Sequence, residues 1–191
     1  MFPIEAFRGT VERFIGILKS LEIRHHLTGG VVSVVWGEPR MTQDIDIVID
    51  RVAAIANIER LLNEIQSAGY FGDDQGIRNA IHSGKPFQLL DPVAVLKLDV
   101  YPRELVPGEL SRSVLAEVFP GSSIAIVSRL DAALSKLIWI RRGSHKSRHD
   151  LRQIVRRLSK EENDILRTQA LQLDLADLLD SVLAESDEVS E

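Results

Sequence analysis

The chain has 191 residues, 45% of them hydrophobic, enough to bury one substantial core with a small helical appendix. It contains no cysteine, which excludes disulfides, zinc–thiolate sites and thiol nucleophiles. The formal net charge is −5, the N-terminus has no basic region followed by an apolar run, and no stretch approaches the ~20 apolar residues of a membrane span, so a soluble cytoplasmic protein is expected.

In chain order, Phe7, Val11, Phe14, Ile15, Leu18 and Leu21 recur at helical spacing and predict a helix over 3–21 with one buried stripe. A short strand over 23–28 then delivers the pair Gly29-Gly30. Without a Cβ, such a pair lets backbone N–H groups turn toward phosphate oxygens. Val31 to Val35 has the propensity of a strand.

Next comes Asp44-Ile45-Asp46-Ile47-Val48-Ile49-Asp50, which alternates carboxylates with branched apolar residues. On a strand, Ile45, Ile47 and Ile49 share one face while Asp44 and Asp46 stand side by side on the other. Two carboxylates that close repel unless a proton or cation lies between them, and Mg²⁺ prefers a few carboxylate oxygens plus water and phosphate. Read alone, the alternation is also the ordinary pattern of a half-buried strand.

An apolar residue and Thr28, then Gly29-Gly30, thirteen residues, and Asp44-Ile45-Asp46-Ile47 together resemble the signature of the nucleotidyltransferase superfamily, the polymerase-beta-like fold. Within it, Arg40-Met41-Thr42-Gln43-Asp44 resembles the Arg-x-Thr-x-Asp run of the AbiEii-type toxins and related small nucleotidyltransferases. The resemblance implies a short helix after the glycine pair, whose N-terminus would aim free N–H groups at phosphate, and that form is expected over the propensity-based strand.

Further on, Val52 to Ala68 reads as one helix ended by Gly69. Residues 71–75 read as loop, a short helical turn is expected around Gly76 to His82, and Ser83-Gly84-Lys85-Pro86 breaks it. Strands are predicted over Phe87 to Leu90 and Val95 to Tyr101, with a tight turn at Asp91-Pro92. In the second, Asp99 is flanked by apolar residues, as an ordinary exposed strand residue is. The resemblance gives it a larger role, a third metal-binding carboxylate on a neighbouring strand.

Glu109 to Val118 is read as a helix and Ser123 to Val127 as a strand. Ser128-Arg129-Leu130-Asp131 is a capping box opening a helix over 130–140, and Ser159-Lys160-Glu161-Glu162 is another, opening a helix toward Leu173. A last helix over 175–184 carries Leu175, Leu178, Leu179 and Val182, and residues from Ser186 onward are expected to fray. Leu134-Ser135-Lys136-Leu137 with Lys146-Ser147-Arg148-His149-Asp150-Leu151 resembles the Lys-Leu…Arg-x-Lys-Asp-Leu region of the AbiEii-type group, with His149 where Lys is common. By that resemblance Lys136 and Arg148 are nucleotide contacts, while Asp150 fixes a neighbouring basic residue. His145 and His149 have helical metal-site spacing, but the intervening Lys146, Ser147 and Arg148 disfavour a cation.

Charge is unevenly placed: residues 136–160 carry +8 and residues 161–191 carry −9. These are either two solvated faces or a phosphate-facing surface partly shielded by the acidic tail.

The expected architecture is α/β (α+β), a small mixed sheet flanked by helices over 1–127, with a helical C-terminal region, 128–191, packed on that core. The resemblance implies metal-dependent transfer of a nucleoside monophosphate from an NTP such as ATP to an acceptor hydroxyl, with release of pyrophosphate. Asp44, Asp46 and Asp99 would form the catalytic and metal-binding set for Mg²⁺ or Mn²⁺. Thr28, Gly29, Gly30, Lys136 and Arg148 would bind the nucleotide. The acceptor would be an RNA end, a protein hydroxyl or a small antibiotic, and an antitoxin is a possible protein partner. The alternatives are a catalytically silent nucleotide-binding module and an interaction protein of a toxin–antitoxin pair.

Overall fold

The computed structural model describes residues 4–37 and 44–186. The elements are α1 (Ile4–Ser20), β1 (His25–Thr28), α2 (Gly29–Trp36), β2 (Ile45–Ile49), α3 (Arg51–Ala56), α4 (Ile58–Ser67), α5 (Asp74–Ser83), β3 (Phe87–Asp91), β4 (Leu96–Tyr101), β5 (Val114–Phe119), β6 (Ser122–Ile126), α6 (Arg129–Arg141), α7 (Lys146–Val155), α8 (Lys160–Gln172) and α9 (Ala176–Leu183). The described residues divide into two compact units: 4–31 with 44–127, and 32–37 with 128–186. The expected boundary at 127/128 places all of α2 with the first unit, whereas residues 32–37 cluster with the C-terminal helices.

The first unit is built on one mixed sheet in the order β3-β4-β2-β1-β6-β5. β2 runs antiparallel to β1 and parallel to β4, β1 runs parallel to β6, and the two outer pairs are antiparallel. Ile45, Ile47 and Ile49 are fully buried, as are Leu98 and Val100 beside them, so the two-residue period sends one side of the central strands into the core. α1 is pinned by a polar network at the end of β3. The Asp91 carboxylate accepts from Thr10 at 2.6 Å and pairs with Arg13, while the Tyr70 hydroxyl donates to the Thr10 carbonyl at 2.6 Å.

Three expectations need correction. Residues 52–68 form two helices, because Asn57 leaves helical geometry and its side-chain amide donates to the carbonyls of Ala53 and Leu21. The turn expected at 76–82 is a full helix, N-capped by Asp73 and closed by Gly84 in the left-handed conformation. Residues 109–118 are not a helix: a 3-10 turn, Glu109–Arg112, gives way to β5, which pairs with β6 across a turn at Gly121. Cross-strand pairing overrides the local helical preference there.

The second unit is helical. Ser128 caps α6 by accepting from the Asp131 amide, and Ser159 with Glu162 forms a reciprocal capping box on α8. Leu175, Leu179 and Val182 are buried, as the apolar pattern of the last helix requires. Residues 187–191 lie outside the described ones. Among the described residues no helix is long and apolar enough to cross a membrane.

Candidate active site

The strand registers bring polar residues from four strands into one row. Thr28 on β1 stands opposite Asp46 on β2, Asp46 opposite Asp99 on β4, and Asp99 opposite Gln88 on β3. Directly opposed residues share a face, so this row is the polar counterpart of the buried isoleucine layer. Asp44 precedes β2 and is exposed, whereas Asp46 is half-buried. The rest of the expected Arg40–Gln43 run lies outside the described residues.

Gly29 begins α2 immediately after Thr28. Its φ is +68°, and a Cβ built on it would fall 1.9 Å from Asp46 Oδ2, so a side chain here would displace that carboxylate. The glycine pair therefore brings the first turn of the short helix against the Asp46 carboxylate. The N–H groups of a helix's first turn point out of its start, the feature that makes such a start attractive to anions.

Two further side chains belong to the row. Lys97, Asp99 and Tyr101 alternate along β4 and so face one way. Lys97 Nζ lies 2.9 Å from Asp99 Oδ2, and the Tyr101 hydroxyl donates to Asp46 Oδ1 at 3.1 Å. The hydrogen bond to Asp99 holds the Lys97 ammonium above its ordinary pKa; desolvation opposes this, and the charges of Asp99, Asp44 and Asp46 reinforce it. Burial first, then the charges of Asp46 and Asp99, push the Tyr101 phenol far above its usual value. All three aspartates thus act on the same two neighbours as one electrostatic cluster. Sequence reasoning passed over Lys97 and Tyr101, although their two-residue spacing from Asp99 was the available signal.

Among the described residues no three His, Asp or Glu side chains already converge as a metal cage. The available donors are nevertheless carboxylate oxygens, the chemistry a hard divalent cation takes, and Mg²⁺ is commonly held by one or two carboxylates with water and substrate phosphate completing its shell. The residues fit such a cation, with Asp99 engaged by Lys97.

The two expected nucleotide contacts of the second unit are already paired. Lys136 is buried, with its ammonium 2.8 Å from Asp150 Oδ2. Arg148 Nε donates to Glu185 Oε1 at 2.7 Å, and Arg152 Nη1 donates to Glu185 Oε2 at 2.7 Å. His145 precedes α7, with His149 inside it.

A mixed sheet with paired aspartates at the start of a central strand and a glycine-led helix beside them defines a protein of nucleotidyltransferase fold. The fold is shared with the antibiotic-resistance factor ANT(2'')-Ia, with a TM-score of 0.55 and 14% identity over 95% of this chain and 98% of that one. Also similar are an antigenic nucleotidyltransferase-like protein from Paracoccidioides brasiliensis (TM-score 0.48, 19% identity, 94% of each chain) and the lincosamide antibiotic adenylyltransferase LnuA bound to lincomycin (TM-score 0.44, 14% identity, 73% of this chain and 90% of that one). No curated protein matches the chain. The model of the family described as nucleotidyl transferase AbiEii toxin, Type IV TA system, matches residues 19–187. The chain belongs to that family, and it is a nucleotidyltransferase.

Proposed function

We propose that the chain moves a nucleoside monophosphate from an NTP, ATP among them, to an acceptor hydroxyl and releases pyrophosphate, using Mg²⁺ or Mn²⁺. The observation that carries this reading is the cross-strand row Thr28–Asp46–Asp99, with Gly29 seated against the Asp46 carboxylate.

Asp44 and Asp46 would hold the cation, and Asp99 would join them. When bound, the cation neutralises phosphate charge and steadies the departing pyrophosphate. Thr28 and the amides at Gly29 and Gly30 would bind phosphate oxygens, orienting the α-phosphorus toward the acceptor. Asp99 would take the proton from the acceptor hydroxyl. The acceptor oxygen then forms a bond to the α-phosphorus as the bond to the β-phosphate oxygen breaks, and the electron pair leaves with pyrophosphate.

Lys136 and Arg148 enter this reading through the resemblance of their segments alone. Each would exchange an internal carboxylate, Asp150 or Glu185, for a phosphate. The acceptor would be an RNA end, a protein hydroxyl or a small molecule, the cytoplasm supplies NTP and Mg²⁺, and the family's description points to an antitoxin as partner.

The test is incubation with each labelled NTP and Mg²⁺ beside cell extract. Wild type should label one class of molecule and release pyrophosphate. An Asp44→Asn, Asp46→Asn double variant should lose a factor on the order of 10³, about 4 kcal/mol of barrier, while remaining folded. Transfer by the double variant at the wild-type rate would remove the aspartates from the mechanism. Nucleotide binding without pyrophosphate release for every NTP would favour a silent module, and a co-eluting partner would direct attention to a toxin–antitoxin complex.

A further inference from the structure

The carboxylate row already contains a cation tethered to the chain. Lys97 is two residues before Asp99 on β4, faces the same way, and places its ammonium 2.9 Å from Asp99 Oδ2. The charges of Asp44 and Asp46 reach it as well. Asp99 itself is largely shielded, its side chain 15% exposed, whereas that of Lys97 is 44% exposed. A lysine stem with that much freedom swings its head into water at little cost, and an ion pair with one solvent-exposed partner is a weak restraint. A contact this weak is suited to exchange.

We propose that Lys97 is a displaceable counter-ion of the active site: it holds the Asp99 carboxylate while no divalent cation is present, and yields it when one enters. It is a positioning residue, acting through Asp99 and the cation. Two consequences follow from elementary electrostatics. The apo cluster, which would otherwise gather repelling carboxylates, is stabilised by an internal positive charge. The same charge also disfavours a divalent ion nearby, whether the ammonium remains on Asp99 or has swung aside, so it lowers cation affinity. This inference rests on the metal-dependent reading above, and it concerns a side chain that neither the motif nor the family resemblance singled out.

Mn²⁺ binding by the full-length protein, followed by electron paramagnetic resonance or calorimetry without nucleotide, tests it independently of activity. Lys97→Met, and Lys97→Gln as a second neutral variant, should bind Mn²⁺ roughly tenfold more tightly, the scale of removing one positive charge a few ångströms from a divalent ion in well-solvated surroundings. Lys97→Arg should bind like wild type, since it keeps the charge while changing the shape. Thermal melting of each variant verifies the fold. Equal or weaker Mn²⁺ binding by folded neutral variants overturns the proposal, as does tight binding by Lys97→Arg. The Asp44→Asn, Asp46→Asn variant separates the two levels. Mn²⁺ binding lost there but indifferent to Lys97 leaves the metal site standing and removes the counter-ion role. Absence of Mn²⁺ binding in wild type and neutral variants alike refutes both.

Discussion

Among the described residues, Lys97–Asp99 in one unit and Lys136–Asp150 in the other are ion pairs of nearly the same length and opposite energetic character. Lys97 and Asp99 are 2.9 Å apart with side chains 44% and 15% exposed. Lys136 and Asp150 are 2.8 Å apart with side chains 10% and 4% exposed. Near water, Lys97 of the first pair retains alternative solvation, so the pair adds little stability and the ammonium can leave Asp99 for solvent. In the second, each charge has given up its water, and removing the Asp150 carboxylate takes from the buried Lys136 ammonium its ion-pair partner, a loss of about 3–5 kcal/mol. Distance therefore does not distinguish an exchangeable charge from a sealed one; solvent access does. At the candidate site the sheet unit keeps Lys97 accessible to solvent, whereas the helical unit closes Lys136 on Asp150 and both Arg148 and Arg152 on Glu185.

The largest effect that would break this contrast is at the sealed pair. Asp150→Ala should lower unfolding stability in urea by about 3–5 kcal/mol, whereas Lys97→Met should change it by less than about 1. Equal losses at both sites would erase the difference between them. A Lys136→Met, Asp150→Leu double variant should recover most of the stability, because an apolar pair of similar size can replace a buried ion pair. That double variant also isolates the nucleotide question: a folded protein that loses triphosphate but not monophosphate affinity would make Lys136 a phosphate contact.

An intermediate effect sharpens the accessible side. Gly29→Ala combines a left-handed φ of +68° with a Cβ 1.9 Å from Asp46 Oδ2. Stability should fall by only about 1–2 kcal/mol, but nucleotide transfer should fall on the order of 10²-fold, because Asp46 must move. Gly69→Ala is the control, since Gly69 has a φ of +81° with no atom near its would-be Cβ. It should show similar strain with unchanged transfer. Equal transfer by both variants would detach Asp46 from the chemistry.

The smallest effect is at Glu185. The hydrogen bond from Arg148 is the main influence holding its carboxyl below the ordinary value; burial opposes it, and the charges of Arg148 and Arg152 add to it. A depressed folded-state pKa contributes stability above the unfolded value of ~4.3 and loses it as pH falls through the folded value. Glu185→Gln should therefore cost less than about 1 kcal/mol at neutral pH, and the gap from wild type should vanish on acidification below both values. Unfolding curves taken from neutral pH progressively into acid would measure this, and a gap that does not narrow as the pH falls would rule out the charge as its origin. The same variant removes the carboxylate charge that Arg148 pairs with, so retention on RNA at low salt should rise if the acidic end competes for the basic block.

The sequence by itself determined the local features: the two-residue alternation that buries Ile45, Ile47 and Ile49 away from Asp46, the glycine pair at the start of α2, and the serine caps at Ser128 and Ser159. These are legible because their energetics depend on residues within one turn or one pleat. The same alternation put Lys97, Asp99 and Tyr101 on one face of β4 but could not say what lies beside them. Only the tertiary structure decided that β4 runs parallel to β2 with Asp99 opposite Asp46, that residues 114–119 pair as a strand, and that Lys136 is sealed against Asp150. Each of these depends on partners distant in the chain, and a local pattern limits which face a residue presents without choosing its neighbour.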